Sequence, residues 1–502
     1  MNTAEAIAAP PEAVVKSNKM PRAVPYIIGN EAAERFSYYG MKTILTTFIA
    51  AQFFSHEANA DAHANAITHL FVFSTYFMSI LGGILADSYL GKYRTIFWLS
   101  LLYVAGQACL ALFTTTESMF MLGLLLITLG AGGIKPCVSA NVGDQFDKTN
   151  QHLLTKMFGW FYFAINAGSL VSTFFTPIFK HLPDQNWGGV TVTGPMIAFG
   201  VPGGLMAIAT FIFWLGRKKY VRVPPKKLTR QNFVFISLYA LFNSGKKKKG
   251  EGILDVAKNS FPEESVENIK AVWRVLAVFA FIPAFWALYD QNGSEWVLQA
   301  THMNLTTSLG FTSITWLPEQ VQLVNPILIL AFIPLFSYVI YPAIEKMGIK
   351  VTPLRKIGTG FLFTALSFVV IALIQTRIDA GETPNIGWQI LAYIIITVAE
   401  ILISISGLEY AYTNAPPAMK STVMACWLST VAVGNLFVSL INTNITSGGF
   451  LAQLKGATYY WFFFGVVCFF ALLFIIVSKR FKETSYMITE DDNAVDPNLV
   501  EN

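Results

Sequence analysis

Between Glu31 and Lys42 the chain sets two carboxylates, two cations and two tyrosines into twelve residues: Glu31-Ala-Ala-Glu34-Arg35-Phe-Ser-Tyr38-Tyr39-Gly-Met-Lys42. A helix turns about 100° per residue, so Glu31, Arg35, Tyr38 and Lys42 fall within roughly 60° of one another, flanked by Glu34 and Tyr39. Carboxylates crowded on one guanidinium hold or release a proton according to what else the guanidinium binds, which is the chemistry of proton coupling. The flanks, Val24 to Gly29 and Thr43 to Phe54, are largely apolar and place this stripe in a membrane. There each charge costs about 2.5 to 3.5 kcal/mol, so a retained stripe faces other helices or water and marks a functional site.

Further ionisable groups sit in apolar surroundings. Lys135 precedes Pro136, which frees backbone carbonyls, and a buried ammonium demands an anionic partner. Asp290 ends the run Phe285-Trp286-Ala-Leu-Tyr-Asp290 and shares a helix face with Trp286; Asn325 precedes Pro326, and Glu400 stands well inside an apolar segment. Arg35 and Lys135 lie in the first half of the chain, Asp290 and Glu400 in the second. A cavity between the halves is therefore bipolar, and a zwitterion with a carboxylate at one end and an amine at the other would satisfy it. Tyr38, Tyr39, Tyr76, Trp286 and Trp427 would give it apolar walls with polar tips that accept varied side chains. His69 reads either as a packed histidine or as a proton carrier, and Asn166 either as interhelical glue or as a ligand.

The elements that must hold these groups follow from composition. Of 502 residues, 54% are hydrophobic and only 13% charged, too few charges for an ordinary soluble surface. Apolar runs long enough to cross a bilayer occur at 24–54, 66–89, 94–113, 119–140, 154–179, 195–216, 271–291, 319–342, 356–376, 386–410, 421–442 and 457–478. These predict an all-α membrane protein with twelve transmembrane helices. If both termini are cytoplasmic, only Lys180, Arg377 and Lys455 among the 35 Lys and Arg residues lie in outer loops, and Arg35, Lys42, Lys135 and Arg274 lie within spans. The rest fall inside, the bias expected of inside termini. A lysine-rich break at 217–270 separates a bundle at 24–216 from one at 271–482, with cytoplasmic tails at 1–23 and 483–502; Gln231 to Phe242 within the break reads as a short interfacial helix. The net charge of +5 resides in these inner loops and calls for no nucleic acid. Four unpaired cysteines suggest neither disulfides nor a metal knuckle. His56-Glu57 has Ala60 where a zinc motif needs its second histidine, which argues against an intramembrane hydrolase. No cofactor and no metal are expected.

Several motifs carry a resemblance. Gly83-Ile-Leu-Ala-Asp87-Ser-Tyr-Leu-Gly91-Lys92 resembles the signature of facilitator transporters, with Asp87 as a conformational lock. Glu31-x-x-Glu34-Arg35-Phe-x-Tyr38-Tyr39-Gly, Gly130-Ala-Gly-Gly-Ile-Lys135-Pro, the pattern from Phe161 through Asn166 to Leu170, and Phe285-Trp-Ala-Leu-Tyr-Asp290-Gln together resemble the proton-dependent oligopeptide transporter family. That resemblance runs from about Asn30 to Lys482. It implies the major facilitator fold, two six-helix bundles, and proton-coupled uptake of di- and tripeptides by a monomer in a cell membrane, in contact with lipids. It further implies that Arg35, Lys135 and Tyr39 take the peptide carboxylate, that Asn166, Asn325 and Glu400 take its amine, and that Glu31, Glu34 and His69 carry the proton. Lys42 and Asp290 would gate the outer side, with lysine where the family usually has arginine. Glu295 would make the outer rim acidic. Nitrate, another small anion or a drug-like substrate is the alternative cargo; a receptor or channel is the remaining non-enzymatic reading.

Overall fold

The computed structural model describes residues 17, 19–147, 149–225, 232–248, 250–308, 313–416 and 419–479. The expected tails at 1–23 and 483–502 lie outside these except for 17 and 19–23, as do Gln231 at the expected start of the linker helix and Lys249 in the lysine run.

Among the described residues the long helices, numbered here 1 to 12, begin with Val24–Phe53, Ala60–Leu85, Lys92–Leu112, Glu117–Gly143, Leu154–Lys180 and Gly194–Leu215. Helix 7 is Glu263–Phe279 followed, after a bend of 44°, by Ile282–Ala300. Helix 8 spans Pro318–Lys346, helix 9 Pro353–Asp379, helix 10 Gly387–Asn414, helix 11 Lys420–Thr446 and helix 12 Ala457–Ser478. Ten helices are long and apolar enough to cross a membrane, and the bent pair forming helix 7 makes an eleventh. Helix 1, 30 residues long, is set apart by its four charges.

Two starts differ from the hydropathy reading. Helix 2 begins at Ala60 because its first turns are polar but still helical, and helix 7 begins at Glu263 because Glu263 to Lys270 is amphipathic, burying Val266 and Ile269. The linker helix, Phe233–Phe242, docks there, burying Ile236 and Ala240 against Ala257, Val266 and Ile269. This part of the linker is ordered: Lys270 Nζ lies 2.5 Å from Asp255 Oδ1, a contact that holds the Asp255 carboxyl below its usual range.

Departures from regular helix cluster where side chains must be aimed. Pro136 lies inside helix 4 beside Lys135, and π turns occupy Ala86–Leu90, Phe336–Ile340, and Ile401–Ile405 directly after Glu400. Close approach is built on glycine: a Cβ on Gly82 would collide with the Gly133 backbone, and one on Gly168 would stand 2.5 Å from Ala32 O. The first contact seats helix 2 on helix 4, and the second presses helix 5 against the charged stripe of helix 1. The glycines at 130–133 therefore serve packing.

Two antiparallel hairpins mark one end of the molecule. Gln185–Trp187 pairs with Val190–Val192 between helices 5 and 6, turning through Gly188 and Gly189 at φ of 60° and 90°, and Thr306–Ser308 pairs with Ser313–Thr315 between helices 7 and 8. The linker lies at the opposite end.

Candidate functional site

Helix 1 supplies the centre of the site. Arg35 Nε donates to Glu31 Oε1 at 2.6 Å and stands 3.1 Å from Glu34 Oε2, so one buried guanidinium faces two buried carboxylates. Tyr38 and Tyr39 meet edge to face at 5.6 Å. Helix 4 brings Lys135 across them: its Nζ lies 4.1 Å from the centroid of Tyr76 and 4.8 Å from that of Tyr38, within electrostatic reach of Arg35 and Glu34. That ammonium is shielded from solvent and has no hydrogen-bond partner among the described residues. Cation–π contact offsets part of its desolvation, and the ammonium makes no direct ion pair among the described residues.

The second half of the chain supplies the opposite pole. Asn325 Nδ2 donates to Glu400 Oε2 at 2.8 Å and approaches Thr397 Oγ1 at 3.1 Å, and Tyr289 OH donates to Asn325 Oδ1 at 3.3 Å. Trp286 meets Tyr289 edge to face at 5.4 Å and Trp427 at 6.3 Å, forming an aromatic wall. Asn166 is not drawn into this group: its amide donates to Tyr162 O of its own helix at 2.8 Å. Its neighbour Tyr162 is within electrostatic reach of Glu400.

Toward the hairpin end the two halves are joined by a relay. Lys42 Nζ donates to Asp290 Oδ1 at 3.3 Å; Asn435 Nδ2 donates to Asp290 Oδ2 at 2.6 Å; Asn435 Oδ1 lies 2.7 Å from His69 Nδ1, and His69 Nε2 lies 2.9 Å from Ser294 Oγ. His69 thus stands in this seam and not with Glu31 and Glu34. Helix 2 carries it there because its long packing against helix 11 brings Asn435 alongside. Asp87 lies apart from these groups. It is exposed in the π turn ending helix 2 and makes no ion pair among the described residues, while neighbouring Lys92 pairs at 2.7 Å with Asp144, the residue that caps the end of helix 4.

Sequence reasoning missed a second join. Glu319, at the start of helix 8, accepts from Lys180 Nζ at 2.5 Å and from Thr47 Oγ1 at 2.7 Å, while Gln320 and Gln322 donate to Phe174 O and Thr43 O. By sequence Lys180 reads as an outer-loop cation and Glu319 as a boundary acid; only an acid opening one apolar run and a base closing another signals a pair. Glu295 is also placed differently from its expected position on the rim. Ser294 and Glu295 turn inward, where Asn65 of helix 2 donates to Glu295 Oε2 and Tyr460 of helix 12 approaches Oε1. The helix continues as far as Ala300, so this carboxylate is part of the helix-packing surface.

Breaking a buried ion pair by removing one partner costs about 3 to 5 kcal/mol. Glu319→Gln is therefore expected to open the hairpin end, lengthening the spin-label distance between the helix 5–6 and helix 7–8 hairpins. The combined reversal Lys180→Glu and Glu319→Lys should restore the short distance. An unchanged distance distribution in Glu319→Gln would refute the latch.

The POT family model matches residues 93–462. Solute carrier family 15 member 2 of Rattus norvegicus is 40% identical over 407 residues, covering 77% of this chain and 54% of that protein, so the chain spans about half the length of the curated relatives it matches. The in meso crystal structure of the POT family transporter PepTSo superposes with a TM-score of 0.83 at 37% identity, covering 92% of this chain and 98% of that one. The structure of an auto-inhibited POT family peptide transporter gives 0.82 at 36% identity, over 93% and 99%. The arrangement of helices, the charged stripe and these matches agree: the chain belongs to the POT family and is a multi-pass, all-α membrane protein of the major facilitator type.

Proposed function

We propose that this protein is a proton-coupled symporter that takes up di- and tripeptides by alternating access. The observation that carries the reading is the shielded Lys135 ammonium, which has no hydrogen-bond partner among the described residues, together with the Glu400 carboxylate held by Asn325 in the other half of the chain. A peptide's carboxylate would pair directly with Lys135 and engage Arg35 and Tyr39. Its amine would reach Glu400 with Asn325, and Asn166 would join after rotating away from Tyr162 O. Tyr38, Tyr76, Trp286 and Trp427 line the space between, where aromatic faces tolerate varied side chains. A nitrate-sized anion would leave the acidic pole unused. The relatives named above are transporters, and nothing in this chemistry calls for an enzyme.

In this reading the chain has twelve membrane spans, with bundles at 24–216 and 271–482 joined by the linker at 217–270, both termini inside, and acts as a monomer. The hairpin end faces outside and is closed here by the Lys42–Asp290 and Lys180–Glu319 contacts. Protons enter with peptide and bind at Glu31 or Glu34 when the peptide carboxylate draws on Arg35; His69 transmits the state of the gate through Asn435 to Asp290. Asp87 locks the linker end when the halves rock back.

The test is uptake into proteoliposomes. With an inward proton gradient and a negative interior, the protein is expected to accumulate dialanine; 100 mV provides about 2.3 kcal/mol per charge, or roughly fiftyfold for one charge. Failure to accumulate any di- or tripeptide under that gradient would sink the proposal.

A further inference from the structure

At the linker end, helices 8, 9 and 12 enclose a groove of about 800 Å³ that plays no part in the site between the halves. Its floor is apolar, formed by Ile344, Leu354, Leu362, Phe474 and Ile475. Its mouth is cationic: Lys350, Arg355, Lys356 and Lys479 line it, and no carboxylate does among the described residues. Lys356 is occupied by Glu409 at 2.6 Å, and Arg355 is tethered through Nη1 to Lys350 O at 3.0 Å, which holds its guanidinium beside the Lys350 loop. Lys350, Arg355 and Lys479 are exposed and make no ion pair among the described residues. Helix 9, 27 residues long, begins at Pro353 between Lys350 and Arg355 and adds the positive end of its dipole.

We propose that this groove binds one anionic glycerophospholipid from the leaflet at the linker end. The phosphate fits the cations contributed by three different segments, and the glycerol and first chain methylenes fit the apolar floor. The remaining chain length lies along the exposed Ile476 on the membrane face of helix 12. Basic pockets between helices at the membrane surface recognise acidic headgroups by this combination of field and shape. A free anion would meet the cations but leave the floor uncovered, and a neutral lipid would cover the floor but leave the cations unpaired. By bridging Lys350 and Arg355 to Lys479, the lipid ties the start of helix 9 to the end of helix 12.

The proposal does not depend on peptide transport and is tested without it. Full-length protein is solubilised from vesicles containing equal phosphatidylglycerol and phosphatidylcholine, and retained lipid is read by native mass spectrometry. One phosphatidylglycerol is expected to remain preferentially. Neutralising each cation should lower its occupancy about fivefold, so Lys350→Gln, Arg355→Gln and Lys479→Gln together lower it about a hundredfold. The charge-keeping set Lys350→Arg, Arg355→Lys and Lys479→Arg should retain it, which separates lost charge from a damaged fold. Equal retention of phosphatidylcholine, unchanged retention in the triple glutamine variant, or displacement of the lipid by inorganic phosphate at low millimolar concentration would each overturn the assignment.

Discussion

Lys135→Met is expected to weaken peptide binding by at least about thirtyfold while leaving the thermal stability of the empty protein unchanged or raised. Removing one partner of a buried charge pair costs about 2 to 5 kcal/mol in binding, which sets that lower bound. The stability half of the prediction follows from the same geometry. In the empty protein the ammonium has no hydrogen bond to lose among the described residues, and its direct contacts are those above Tyr38 and Tyr76. Those contacts contribute about 0.5 to 2 kcal/mol, against a desolvation penalty of several kcal/mol for the charge. Calorimetric titration with dialanine and thermal unfolding of the same preparation read the two quantities. A variant that binds normally but melts lower would make Lys135 a packing residue and remove the main support for the peptide reading.

Glu34→Gln is expected to abolish accumulation while preserving exchange of labelled peptide across the membrane. Glu34 and Glu31 share Arg35, so under the proposed mechanism a peptide carboxylate that claims the guanidinium would leave one of the two acids without its counter-charge and ready to take a proton. Glutamine is nearly isosteric and cannot release that proton on the other side. The roughly fiftyfold concentrative uptake available from 100 mV should collapse toward equilibrium, with counterflow retained. Because Arg35 keeps its hydrogen bond to Glu31, the fold and the peptide site should survive. Concentrative uptake by Glu34→Gln would move the coupling site elsewhere, and His69 in the seam would be the next residue to replace.

The two charged contacts that join the halves at the hairpin end differ in geometry. Lys42 makes a single contact to Asp290 at 3.3 Å, whereas Lys180 reaches Glu319 at 2.5 Å with Thr47 on the same oxygen. A point charge cannot make the forked contact of a guanidinium.

Much of the fold was legible in the sequence because hydropathy and helical period are local properties. The apolar runs matched the helices within a few residues wherever a helix is apolar along its whole length. They fell short at Ala60 and Glu263, where polar first turns are helical for reasons of packing. The charged stripe was equally local: Glu31 meets Arg35 because they are one helical turn apart. Lys135 was visible as an ammonium in an apolar run, though not the rings beneath it.

Tertiary structure alone decided which charges meet across the halves. Lys42 and Asp290 are 248 positions apart and Lys180 and Glu319 are 139 apart, so no periodicity relates them. The crossing of helix 2 with helix 11 took His69 to Asn435 and away from Glu34, and the inward turn after Gly293 took Glu295 from the rim to Asn65. A sequence states that a charge in an apolar helix needs company. Which company it finds depends on how helices from opposite halves cross, and side chains a few ångströms long can respond only to that.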